Sequence, residues 1–195
     1  RLLALIAHSS GQLVNYSQLA TDCQVSVKTI KHYLSIAEQT YVIAQLSPFV
    51  GNKRVELTSN PIFYFIDNGF RNYALRNFSD LNTRSDLGLL VESVVFQEIY
   101  KFLTQSFLNY SIHYWRTKSG AEVDFVISKE QHIFPLEVKA GFSKKKKSLL
   151  VYDEKFSKDE NAPLVLSRAS LRNFAYDGKL INYPLYAIEL FPRFR

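Results

Sequence analysis

Residues 114–140 read YWRTKSGAEVDFVISKEQHIFPLEVKA, and two apolar runs in this stretch carry charged residues on alternate positions. Side chains alternate between faces along a strand, so Glu122 and Asp124 are expected to point one way while Val123, Phe125 and Ile127 point the other. In Leu136-Glu137-Val138-Lys139 the acidic and basic residues again share one face and the apolar residues take the opposite one. Two such runs side by side would bring Asp124, Glu137 and Lys139 to one place, giving two hard oxygen ligands for a divalent cation beside an ammonium. Metal-dependent cleavage of a phosphodiester needs that combination.

Working outward, residues 87–103 carry the strongest helical pattern, with Leu87, Leu90, Val91, Val94, Val95 and Phe102 on one apolar arc. Glu92 borders the arc and Glu98 lies near its middle. An isolated buried charge is costly, so each needs solvent or a partner. Both could reach a metal site packed against this helix; Glu92 is the one expected to do so, while Glu98 is either a second such group or a structural partner for a lysine or arginine.

Strands are expected at 111–116, 122–128 and 132–139, with Lys118-Ser119-Gly120 as a turn. Pro135 lacks the N–H that a ladder needs, which predicts a bulge or an unpaired position there. Downstream, a helix over 145–156 and strands at 163–167 and 183–190 complete the reading. Lys144, Lys145, Lys146 and Lys147 form a basic run that is either a solvated surface or a grip on a phosphate backbone. His8, His32, His113 and His132 have no metal-ligand spacing and are read as structural or exposed.

Toward the N-terminus, a first helix ends near Gly11, a second covers 16–23, and Ser26 is a good N-cap for a third over 27–39. In the third helix Ile30, Tyr33, Leu34 and Ala37 fall at helical spacing, with Lys28 and Lys31 outside them. The short link through Gln24 and Val25 predicts a helix-turn-helix. A strand over 41–47, a turn at Gly51-Asn52 and a return over 53–57 would be its wing. Lys28 and Lys31 could touch duplex phosphates, or the module could serve as a structural linker. Next, 60–70 is an apolar run closed by an Asp67-Asn68-Gly69 turn signal, in which Asp67 either caps the backbone or acts as a ligand. The expected fold class is α/β (α+β), with a winged helix-turn-helix over 1–58 and a mixed-sheet domain over 59–195.

The 195 residues are 47% hydrophobic and 14% aromatic, which describes a globular chain. A formal charge of +6 favours an anionic partner such as nucleic acid. Cys23 is the one cysteine, so no internal disulfide or cysteine zinc site can form, and a cytoplasmic, reducing compartment is expected. No apolar run approaches the roughly 20 residues of a membrane span, so no membrane partner is expected. The absence of methionine, and an opening at Arg1 inside a helical pattern, lead to the expectation that the chain is a fragment of a longer polypeptide.

Asp124, a dozen residues, then Glu137-Val138-Lys139 resembles the PD-(D/E)xK arrangement of restriction-endonuclease-like nucleases. The resemblance implies catalytic roles for Asp124, Glu137 and Lys139, with Glu92 as the helix glutamate, and Mg²⁺ or Mn²⁺ held by Asp124, Glu137 and Glu92. The wider order is a helix-turn-helix, Lys53-Arg54, the Pro61 to Phe70 segment with Phe65-Ile66-Asp67-Asn68-Gly69, Gly88 to Glu92, Trp115-Arg116, Glu122-Val123-Asp124-Phe125-Val126 and Leu136-Glu137-Val138-Lys139-Ala140-Gly141. It resembles the C-terminal half of prokaryotic AAA-type ATPases, domain-of-unknown-function family 4143. Asn68 departs from the threonine or serine more usual there. The resemblance implies an ATP-binding module ahead of Arg1, since no G-x-x-x-x-G-K-[ST] loop occurs in this sequence. It also implies DNA as partner and leaves open a nuclease-like module without activity that serves the ATPase by contact.

Overall fold

The computed structural model describes residues 1–50, 59–105, 109–129, 132–141, 146–157, 166–170, 173–178 and 180–188. Three helices come first: α1 (Leu2–His8), α2 (Tyr16–Cys23) and α3 (Val27–Gln39). Asn15 and Ser26 start the second and third, their side-chain oxygens accepting from the N–H of Gln18 and Thr29 at 3.1 Å. Ile30 and Leu34 face inward as expected, but Tyr33 is exposed. Among the described residues no helix is long and apolar enough to cross a membrane.

The strands are β1 (Ile43–Pro48), β2 (Ile62–Phe65), β3 (Tyr110–Arg116), β4 (Glu122–Lys129), β5 (His132–Lys139), β6 (Leu166–Ser170), β7 (Ala175–Asp177) and β8 (Leu180–Pro184). They form one sheet in the order β2-β1-β3-β4-β5-β6-β8-β7. β1 runs parallel to β3, and β6 parallel to both β5 and β8; the other pairs are antiparallel. The fold is therefore mixed α/β. β1, expected as the first limb of a wing, lies between β2 and β3 in this sheet, so the sheet draws strands from both sides of the 58/59 boundary. The turn at Gly51-Asn52 and the return over 53–57 lie outside the described residues.

Helices cover both faces. α5 (Leu87–Gln105) lays Val91, Val95, Phe96 and Ile99 against Tyr64, Phe125, Ile127, Leu136 and Val138. Its buried arc is rotated from the expected one, since Val94 is exposed whereas Phe96 and Ile99 are buried. On the opposite face α6 (Lys147–Phe156) packs Leu149 and Tyr152 on Trp115, Val123 and Val126. The helices α1 to α3 cover Ile43, Phe63 and Phe65 on β1 and β2. All four residues of β2 are buried, because alternate side chains enter different cores: Ile62 and Tyr64 meet α5, Phe63 and Phe65 meet the N-terminal helices.

Between β2 and α5 the expected turn at Asn68-Gly69 is instead the first turn of a helix, α4 (Asn68–Leu75). Asp67 causes this: its Oδ1 accepts from the N–H of Gly69 at 2.6 Å and of Phe70 at 3.2 Å, which satisfies donors that the helix leaves open. α4 and α5 are clasped by Asp86, which binds Arg71 at 2.9 Å and Arg84 at 2.8 Å. The two guanidinium groups hold the Asp86 carboxyl well below the usual range.

Pro135 carries no bulge but is unpaired on one side, the other of the two outcomes expected there. It stands in register with Val126, and the ladder to β6 begins only at Leu136, one residue past the missing donor. The irregularity falls in the β3–β4 pair. His113 pairs with Val126 and Trp115 with Val123, so Asp124 and Phe125 together stand opposite Tyr114. The alternation expected across 122–127 breaks there, and Val123 and Phe125 enter different cores.

Candidate active site

A bulge re-aims the side chain it carries and ends regular pairing. On β4 that residue is Asp124. The β4–β5 ladder stops at Phe125 and Leu136, and beyond it the Val138 N–H donates to Asp124 Oδ2 at 2.6 Å. The carboxylate thus replaces a backbone acceptor where the strands part, and its Oδ1 has no hydrogen bond among the described residues.

On β5, Leu136 and Val138 enter the α5 core, so Glu137 and Lys139 take the other face, as the alternation predicts. Lys139 Nζ lies 3.1 Å from Glu137 Oε1. Glu137 itself is buried, and its Oε2 accepts from Arg168 Nη2 at 2.7 Å and Nε at 3.1 Å. Arg168 is the register partner of Glu137 on the parallel strand β6.

Glu92, on the first half of α5, comes from the other face of the sheet and lines a cleft with Asp124, within the field of Lys139. Its Oε1 accepts a hydrogen bond from the hydroxyl of Tyr64, whose ring stacks on Phe96 at 4.5 Å. Burial, then the charge on Asp124, push the Glu92 carboxyl up from its ordinary 4.5 to about 8, against the Tyr64 hydrogen bond and the Lys139 ammonium. Burial likewise pushes Asp124 up from 3.8 to about 6; the Val138 N–H and Lys139 oppose the rise, Glu137 and Glu122 add to it. Burial and Glu92 also raise the Tyr64 hydroxyl.

A cleft of ≈ 360 Å³ opens beside Glu92 and Asp124, walled by Tyr64, Arg116, Glu122 and the loop from Gly11 to Leu13. Gly11 comes so close that a Cβ on it would meet Glu92 Oε1 at 2.7 Å, and its φ of +78° disfavours any side chain. The N-terminal helical region therefore supplies one wall of the cleft.

The donor set can be tested against a divalent cation. Among the described residues no three Asp, Glu, His or Cys side chains form a ready cage. Mg²⁺ does not require one, because it keeps several waters and takes one or two carboxylates plus substrate phosphate oxygens. Asp124, whose Oδ1 has no hydrogen bond among the described residues, and Glu92 line one cleft and suit that mode, and Glu137 Oε1 lies on the adjoining strand β5. Burial is the first cause of the raised carboxyls of Glu92 and Asp124, and a cation bound between them would favour the charged form of both.

Other expected residues lie apart. Glu98 pairs with Lys101 at 2.5 Å on the exposed side of α5. Lys28 and Lys31 are exposed on α3, and Lys31 Nζ sits 5.0 Å from the centre of the Tyr16 ring. Lys146 and Lys147 stand at the start of α6, while Lys144 and Lys145 lie outside the described residues. Sequence reasoning missed Tyr64, Gly11 and Arg168. A tyrosine within Ile62-Phe63-Tyr64-Phe65 and an arginine within a buried strand were the available signals, since each sets a polar group where an apolar one is usual.

Comparison with known proteins gives two curated relatives. "Uncharacterized protein Rv2008c" of Mycobacterium tuberculosis and "Uncharacterized protein Mb2031c" of Mycobacterium bovis are each 27% identical over 142 residues, 71% of this chain. That stretch is 31% of each relative, so the chain spans about a third of their length. No solved structure matches the chain. Residues 1–81 match a second domain of unknown function (DUF8612). Residues 87–187, more than half of the chain and the part that holds Glu92, Asp124, Glu137, Lys139 and Arg168, match the model described as domain of unknown function (DUF4143), and the chain belongs to that family.

Proposed function

We propose that this chain is the C-terminal, nucleic-acid-binding part of a longer AAA-type ATPase, with a PD-(D/E)xK site that hydrolyses phosphodiesters of DNA. In this reading α2 and α3 are a helix-turn-helix and the sheet with α5 is a restriction-endonuclease-like fold. The observation that carries it is the bulge, which sets Asp124 at the end of the β4–β5 ladder within the fields of Glu137, Lys139 and Glu92. Asp124 and Glu137 would hold Mg²⁺ or Mn²⁺, with Glu92 as a further oxygen. When bound, the cation neutralises non-bridging oxygens and lowers the pKa of water. Lys139 is one-third exposed, so its ammonium can meet a phosphate at the surface and stabilise charge developing there.

Mn²⁺ titration by calorimetry, with cleavage assays, tests this. Lys139→Ala should keep metal binding and lose cleavage by about 100-fold or more, whereas Asp124→Ala should lose both. A second reading, a module without activity that serves the ATPase by contact, is favoured by the Glu137–Arg168 pair, because a carboxylate already facing two cations has less need of a metal. Full-length protein that leaves DNA and RNA intact under saturating Mn²⁺ decides for that second reading.

DNA binding is proposed to rest on charge, through Lys28, Lys31 and the run Lys144, Lys145, Lys146 and Lys147. Neutralising six phosphates would cost about 10³-fold in affinity between roughly 50 and 200 mM salt. Fluorescence anisotropy with labelled duplex reads this directly. Affinity that ignores salt, or survives neutralisation of all six lysines, counts against the charge grip.

A further inference from the structure

We infer that Arg168 is a positioning residue for Glu137, an inference that rests on the nuclease reading above. Parallel register sets Arg168 beside Glu137 on the next strand. A guanidinium fork commonly spreads two N–H groups over both oxygens of a carboxylate. In this pair Nε and Nη2 converge on the single oxygen Oε2, and Oε1 is left on the Lys139 side. One edge of the carboxylate is fastened and the other is turned toward the residue that would act on the phosphate.

Energetics favour a role beyond stability. Both partners are buried, with side-chain exposures of 8% and 7%. Buried ion pairs are often replaced by apolar residues at no loss, so fold stability alone gives little reason for an arginine in this strand. The neighbours show that apolar packing was available: Leu166 on the same strand and Leu180 on β8 enter the core beneath α6. What an apolar residue could not do is fix the rotamer of Glu137. The effect passes through Glu137 to Lys139, since the same carboxylate holds both cations.

The test compares wild type, Arg168→Lys and Arg168→Gln. The lysine keeps the charge and loses the fork. Below the melting temperature, both variants should bind Mn²⁺ about 10-fold or more weakly, the range seen when partners that orient metal ligands are removed. Cleavage should fall in kcat with KM little changed, and Arg168→Gln should be the weaker of the two. Metal-free protein supplies an independent readout. The ¹⁵Nζ resonance of Lys139 should shift in Arg168→Lys, as Glu137 follows the new ammonium and loosens from Lys139. An unchanged Lys139 resonance, or wild-type Mn²⁺ affinity in Arg168→Lys, overturns the positioning role. Wild type that neither binds Mn²⁺ nor cleaves overturns the nuclease reading instead, and the Lys139 resonance then still decides the Glu137 geometry. Should Arg168→Lys fail to fold, Arg168→Gln carries the same two readouts, because it keeps a hydrogen-bond donor without the charge.

Discussion

Glu92 is desolvated, faces the charge of Asp124, and has its carboxyl pushed up to about 8. A carboxyl whose folded value exceeds its unfolded one keeps its proton longer in the fold, so between about 4.5 and 8 the folded state binds more protons than the unfolded state. Stability then falls as pH rises through that window. Asp124 acts with the same sign, and its window closes near 6. Metal-free protein should therefore melt lower at pH 8 than at pH 6, and Glu92→Gln should remove most of that difference. Equal slopes for wild type and variant would show that the shift is not carried by Glu92. At this scale the sequence was informative where alternation applied: Glu137 and Lys139 share a face as read. It failed where identity of neighbours depends on strand order, because nothing near Arg168 or Tyr64 in the sequence tells that Glu137 and Glu92 are their partners.

Elements whose ends are chemically marked were readable: Ser26 sets the start of α3, and alternation over Leu136-Glu137-Val138-Lys139 marks the second half of β5. α4 was hidden because Asp-Asn-Gly serves equally as a turn and as a helix start, and only the exit direction of β2 separates them. The bulge was hidden too, since it is a property of the β3–β4 pair and leaves no mark in either strand alone. α5 brings Glu92 to the site only if its first turn is held, and that is the work of Asp86, one residue ahead of the helix. Arg71 is fully buried, with Nε unpaired and Nη1 on Asp86. Asp86→Asn leaves this guanidinium without its counter-charge and should cost on the order of 3 kcal/mol, as for other buried pairs broken on one side. Urea unfolding measures it. A loss within about 0.5 kcal/mol, the size of an ordinary surface substitution, would show that the clasp is not what holds α4 to α5.

For the whole molecule the question is whether the N-terminal helices form a separable unit. β1 sits inside the sheet, bonded to β2 on one side and β3 on the other, although it precedes residue 59 in the chain. Further backbone bonds cross the same boundary: Gly11 N–H to Phe63 O at 3.2 Å, Val14 N–H to Pro61 O at 2.9 Å, Ile66 N–H to Val42 O at 3.1 Å and Phe49 N–H to Tyr114 O at 2.7 Å. Removing residues 1–58 would strip these partners, uncover Phe63 and Phe65, and leave β2 without a neighbouring strand among those described. Exposing two buried phenylalanines alone costs roughly 4 kcal/mol, a large share of the 5–15 kcal/mol that holds a typical domain together. The fragment 59–195 should therefore show no cooperative thermal transition, and its α5 amides should exchange far faster than in the full chain. It should also lose the cleft wall that Gly11 presses against Glu92, so the Mn²⁺ binding proposed for the full chain should be absent from the fragment. A fragment that melts cooperatively near the full chain's temperature would mean that β1 is an addition to a sheet able to stand without it, and that the sheet with α5 is an autonomous domain.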